Sequence, residues 1–253
     1  MKIVFIGAGN LATRLSLAMQ RVGMQIGQVY SHTEASARQL ATRLGCPWTN
    51  DLSALQEDGD LYVFSLKDTV LSDVISKVKP NNGMWVHTAG SMPMSVFEGY
   101  AQRFGVLYPL QTFSKGRNVN FDVIPIFLEA NTDKNADYLK NIASALSENV
   151  RFMSSEKRRS LHLAAVFACN FTNHIYALAE EILAKEGLSR DYLFPLIDET
   201  AAKVHELPAR EAQTGPAIRY DENIINKHLG MLADDPDVQT LYRLLSQSIH
   251  KKV

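Results

Sequence analysis

The turn Gly7-Ala8-Gly9-Asn10-Leu11-Ala12 constrains this chain more than any other stretch of it. Before it runs Lys2–Ile6, an apolar run of the kind that forms a central strand buried on both faces. After it Leu11, Leu15, Ala18, Met19 and Val22 recur at helical spacing, up to a stop signal at Gly23. A G-x-G-x-x-A turn between a strand and a helix is a dinucleotide-binding fingerprint. Gly7 permits the tight turn, Gly9 lets the backbone approach a pyrophosphate, and Ala12 keeps the helix close to the strand. The helix N-terminus offers unpaired N–H groups and a partial positive charge to that anion. Gly7, Ala8, Gly9, Asn10 and Leu11 are therefore the expected pyrophosphate-binding residues. A bare Gly-x-Gly can be a turn and nothing more, but its place at residue 7 of an α/β pattern favours binding.

The end of the second strand bears on which dinucleotide. NAD binders carry an acid there to hold the ribose 2′-hydroxyl. Here the strand pattern 26–30 runs into Ser31-His32-Thr33, and no acid comes before Glu34. Ser31, His32 and Thr33 can donate hydrogen bonds to a 2′-phosphate, and Arg38 follows on the next helix, so NADP is expected ahead of NAD. The same three residues would equally serve to start a helix. Other nucleotide chemistries fit less well. No Tyr is followed four residues later by Lys, as short-chain dehydrogenases require, and no Gly-Lys-Ser/Thr loop marks a phosphate-binding NTPase.

Strand patterns at 61–66, 84–88, 106–110, 124–130 and 150–153 alternate with helical ones at 34–44, 69–78 and 134–146, with Asp68 as the expected cap of the second of these. That alternation predicts a parallel-rich, doubly wound sheet, a Rossmann domain over residues 1–154. From 155 the texture changes. Residues 156–186 contain neither Pro nor Gly, and 161–171 is apolar nearly all round, which predicts a long helix buried on most faces. Helical patterns at 189–206, 221–232 and 237–249 complete an all-α domain over 155–253. A thirty-residue helix is about 45 Å long, more than the remaining chain can wrap, so a homodimer through the helical domain is expected.

Composition excludes several classes. With 26 Lys and Arg against 27 Asp and Glu, the chain has no cationic excess for nucleic acid. No apolar run is long enough to span a bilayer, and none precedes the first strand as a signal peptide, so a cytoplasmic protein with no membrane partner is expected. Cys46 and Cys169 stand apart from any metal-ligand spacing, so no metal is expected.

In an open α/β sheet a ligand lies beyond the carboxyl ends of the strands. Those ends supply Ser65, Leu66 and Lys67 after one strand, and His87 and Thr88 after the next. Ser65, Leu66 and Thr88 are expected beside the cofactor. His87 is a candidate proton donor or an ordinary packing histidine. On the long helix His162 is a second candidate donor, and Asn170 can bond a nicotinamide carboxamide or a substrate carbonyl, or equally a backbone carbonyl of a neighbouring helix.

Four stretches together resemble a known family: Gly7-Ala8-Gly9-Asn10-Leu11-Ala12, Val86-His87-Thr88-Ala89-Gly90, Tyr108-Pro109-Leu110-Gln111-Thr112-Phe113 and Thr214-Gly215-Pro216-Ala217-Ile218-Arg219. The chain is similar to the NADP oxidoreductases whose C-terminal half is a domain of unknown function, family 2520. These are relatives of pyrroline-5-carboxylate reductase and of the 6-phosphogluconate dehydrogenase-like proteins. The resemblance implies an NADP-dependent oxidoreductase that reduces a small C=N or C=O substrate bound between the domains. Two positions depart from the relatives' patterns. Tyr108 stands where members often carry His, and Val166 stands where related hydroxyacid dehydrogenases place a catalytic Lys, four residues before Asn170. These departures sustain the other reading, a non-catalytic dinucleotide-binding regulatory or scaffold protein.

Overall fold

A computed structural model describes residues 1–251. They form two compact units, Met1–Cys169 and the described residues from Asn170 onward. The division falls inside the long helix, later than the change of texture at 154/155.

The first unit is built on an eight-stranded sheet. Its strands are β1 (Lys2–Ile6), β2 (Gln25–Tyr30), β3 (Trp48–Thr49), β4 (Leu61–Phe64), β5 (Met84–His87), β6 (Phe104–Pro109), β7 (Ile126–Ala130) and β8 (Val150–Phe152). They are ordered β3-β2-β1-β4-β5-β6-β7-β8. All neighbouring pairs are parallel except β6 and β7. The chain reverses its direction of winding between β1 and β4, which puts the switch point of the sheet at the end of β1.

Four helices cover the sheet: α1 (Asn10–Arg21), α2 (Glu34–Leu44), α3 (Asp68–Lys77) and α4 (Asp133–Ser144). Alternation along β1 divides the core. Ile3 and Phe5 face α1, α2 and α4, where Leu15, Met19, Leu40 and Leu139 are buried. Val4 and Ile6 face α3, against Leu71, Ile75, Trp85 and Phe97. A strand buried on both faces needs apolar residues at every position, which is why Ile3–Ile6 has no polar member. Asp68 is the first residue of α3 rather than its cap; Lys67 occupies the cap position, without a side-chain bond. The Asp68 carboxylate instead accepts from the Ser91 hydroxyl.

The long helix begins as α5 (Ser155–Ala165), capped by the Ser154 hydroxyl. It widens to a π-helical turn, Val166–Phe171, and continues as α6 (Thr172–Lys185). The second unit adds α7 (Phe194–Glu206), α8 (Pro216–Arg219), α9 (Glu222–Met231) and α10 (Pro236–His250). Asp221 and Asp235 cap α9 and α10, and Pro236 takes the first position of α10, where its missing N–H costs nothing. The expected burial of residues 161–171 is not found within one chain. Leu163, Phe167 and Phe171 are 60%, 63% and 51% exposed. No helix among the described residues is long and apolar enough to cross a membrane.

Candidate active site

Register assembles the first half of the site. Tyr30, Ile6, Phe64 and His87 are cross-strand partners in β2, β1, β4 and β5. The residues that follow them, Ser31, Gly7, Ser65 and Thr88, therefore stand in one row along the carboxyl edge. Backbone bonds hold the row: Gly7 N–H donates to Tyr30 O at 2.8 Å, Ser65 N–H to Ile6 O at 2.8 Å and Thr88 N–H to Phe64 O at 3.2 Å. The Thr88 hydroxyl donates to Ser65 Oγ at 3.3 Å.

The two fingerprint glycines answer to different demands. Gly7 has φ +123°, and a Cβ there would meet Ser65 O at 2.1 Å, so the fold itself requires glycine. Gly9 has an ordinary φ of −76°, and a Cβ there would meet nothing within 4 Å. No packing requirement accounts for glycine at position 9, as expected where the space belongs to a ligand. Gly9 caps α1 without any side-chain bond, which leaves the first N–H groups of the helix to an anion. Ala8 is buried and Leu11 partly buried against the core, while Asn10 begins the helix at the surface. Ser31, His32 and Thr33 lie at the end of β2, His32 and Thr33 exposed, with no side-chain hydrogen bond among the described residues. These residues fit a dinucleotide: free donors at both ends of the turn and no side chain over its middle.

The second half lies around β6 and α5. Tyr108, 7% exposed, holds its hydroxyl 2.9 Å from Nδ1 of His162. Burial raises the Tyr108 pKa, against the nearby charge of Arg158, and the group stays a phenol at neutral pH. His162 rests on Gly90, where a Cβ would lie 2.5 Å from its Nδ1. Any larger residue at 90 would displace the imidazole.

Beneath this pair Arg158, with no exposed surface, is anchored by Glu129 of β7 at 2.6 Å and by Met92 O at 2.6 Å. Glu129 also accepts from Ser155 N at 3.0 Å and Ser155 Oγ at 2.6 Å. Burial alone would raise the Glu129 pKa, but the Ser155 and Arg158 bonds outweigh it and hold the carboxyl below its ordinary value. This network fixes the start of α5, and with it His162, to the sheet.

His87 is fully buried. Its Nδ1 accepts from Ala89 N–H at 3.2 Å, so Nε2 carries the hydrogen toward Pro93 O at 3.3 Å. Burial, aided by the Arg158 charge, lowers its pKa to about 4. Asn170 lies in the π-helical turn, exposed, so no burial penalty demands a partner for its amide. His162 and Asn170 fall in different units. Sequence reasoning missed the Tyr108–His162 pair and the Glu129–Arg158 pair; partners 54 and 29 residues apart leave no local periodicity to read.

Residues 2–86 match the family described as NADP oxidoreductase, coenzyme F420-dependent, and residues 124–249 match the domain of unknown function DUF2520. Among solved structures, a candidate NADP oxidoreductase from Bacteroides fragilis is 56% identical, over 99% of this chain and 98% of that one, with a TM-score of 0.94. Two more distant structures share the fold at 14% identity. An imine reductase from Myxococcus stipitatus in complex with NADP+ has a TM-score of 0.66, over 99% of this chain and 92% of its own. The 1-pyrroline-5-carboxylate reductase of Streptococcus pyogenes has 0.60, over 99% and 98%. No curated protein matched the chain.

Proposed function

The chain belongs to the family that joins an NADP oxidoreductase domain to the DUF2520 domain, and we propose that it reduces a small C=N or C=O compound with NADPH. The observation that carries this reading is the row Ser31, Gly7, Ser65 and Thr88 beside the uncapped start of α1. In the proposal Gly7 to Leu11 hold the pyrophosphate. Ser31, His32 and Thr33 hold the ribose and its 2′-phosphate, and Ser65, Leu66 and Thr88 border the nicotinamide end. Bound there, NADPH supplies a hydride.

The chain's own residues then manage the proton. The Tyr108 hydroxyl and Nδ1 of His162 are 2.9 Å apart. In the proposal the phenol donates to Nδ1, and as Nε2 gives its proton to the reduced acceptor the phenol proton passes to Nδ1, to be replaced from solvent. Asn170 is the proposed orienting group. Both His87 nitrogens are already engaged, so its part is to brace β5 and the Pro93 loop rather than to move protons.

The test is NADPH oxidation, followed by absorbance, against cyclic imines, keto acids and semialdehydes. Turnover of at least one class is expected. Binding of NADPH with oxidation by none would favour the scaffold reading. NADPH should bind more tightly than NADH, and Ser31→Asp should reverse that order through charge repulsion; equal affinities would remove Ser31 and Thr33 from the site.

The proposed assembly is a homodimer, supported by the apolar composition of residues 161–171 and by Leu163, which is 60% exposed. A two-fold axis would bury this stretch against its own copy. Light scattering should give twice the chain mass; the monomer mass at micromolar concentration contradicts it.

A further inference from the structure

A cavity rich in arginine lies along α1. It measures about 340 Å³ and is bounded by Arg14 and Arg21 of α1, Arg43 of α2, and the segment leading to Phe121. Arg14 and Arg21 are seven residues apart, two helical turns, and so share one face. Arg14 is only 6% exposed, yet no carboxylate pairs with it among the described residues. Its guanidinium donates to three neutral acceptors: Ser114 O at 2.9 Å, Asn118 Oδ1 at 2.6 Å and Lys115 O. A guanidinium has five N–H groups, so these bonds leave two, and they leave the charge uncompensated. Burying such a charge without a counter-ion is costly.

The other two cations add to the excess. Arg43, exposed in the last turn of α2, makes no ion pair among the described residues. Arg21 meets one acid, Asp122, at 3.8 Å, with both side chains more than half exposed. A pair of that kind contributes little and is readily exchanged. Apart from Asn118, which is bonded to Arg14, the remaining wall is apolar: Leu17, Ala18, Val119 and Phe121, the last stacked on Phe113 with centroids 5.8 Å apart. Cations at the mouth and an aromatic floor describe one chemistry.

We infer that this cavity binds a small organic anion, with a phosphate or carboxylate head held by Arg14, Arg21 and Arg43 and an apolar body against Phe121. Arg14 already ties the 114–118 loop to α1, so an anion bound there would stiffen that loop. None of the residues of the proposed dinucleotide row lines this cavity.

Calorimetric titration of phenyl phosphate into the full chain, saturated with NADP+ so that the fingerprint turn is not the binding site, tests the inference. Saturable binding is expected, tighter than for inorganic phosphate or benzyl alcohol. Arg43→Glu should weaken it about tenfold with NADP+ affinity unchanged, and Arg21→Gln should weaken it less. Absence of saturable binding overturns the site. Binding untouched by both variants overturns it as well, and inorganic phosphate binding as tightly as phenyl phosphate removes the apolar floor from it.

Discussion

The hydroxyl of Tyr108 and Nδ1 of His162 stand 2.9 Å apart, joining the end of β6 to the middle of α5. The phenol is buried and the imidazole half-buried, so the bond selects which ring nitrogen faces outward. Tyr108→Phe keeps the ring's packing and removes only the bond. The His162 tautomer should then become mixed, visible in nitrogen-15 shifts. Turnover should fall about tenfold with little change in KM, the size expected for an impaired proton donor. An unchanged tautomer and unchanged turnover would show that the bond orients nothing.

Acid should unfold this protein through His87. The folded-state pKa of about 4 lies below the unfolded value of 6.5. Between those values the unfolded chain takes up a proton that the folded one refuses. Stability should therefore be full above about pH 6.5 and fall as pH drops toward 4, by about 3 kcal/mol in all. The depressed Glu129 pKa adds a further loss at lower pH. His87→Gln should flatten the profile between pH 6.5 and 4.5. A slope that survives the substitution assigns the loss elsewhere.

Glu129 and Arg158 should behave as one unit. Removing the carboxylate with Glu129→Ala strands a guanidinium that has no exposed surface, at a cost of about 3 kcal/mol. Adding Arg158→Met to that variant should recover part of the loss, because no charge then remains to be solvated. Urea denaturation of the two singles and the double gives the coupling. Strictly additive losses would mean that the two side chains do not stabilise α5 together.

The elements of the first unit were largely legible. Helix α2 was read to its end residues, because Gly45 in the left-handed region stops it cleanly. The two-residue β3 is too short to leave a pattern. The antiparallel turn of β7 was hidden for a different reason: alternation reports which face a residue takes, not the direction of its neighbour. The apolar stretch at 161–171 was read as buried because hydrophobicity records a need for burial without naming what provides it. In the site, register put Ser31, Gly7, Ser65 and Thr88 at the strand ends, where the sequence reading had them, while for His87 the sequence left a proton donor and a packing histidine both open. Its type was visible in the sequence; its full burial was not.

The fingerprint glycines separate folding from binding. Gly7→Ala forces a Cβ onto Ser65 O at a φ that side chains avoid, so it should destabilise the whole unit. Gly9→Val enters open space at an ordinary φ and should leave a folded protein. Calorimetric titration of NADPH into the parent and the Gly9→Val variant is thus the most direct measurement. Saturable binding in the parent, abolished in a variant that melts like it, is the expected result. Undiminished affinity in a folded Gly9→Val protein, or no binding by the parent, would contradict the dinucleotide site on which the proposed chemistry rests.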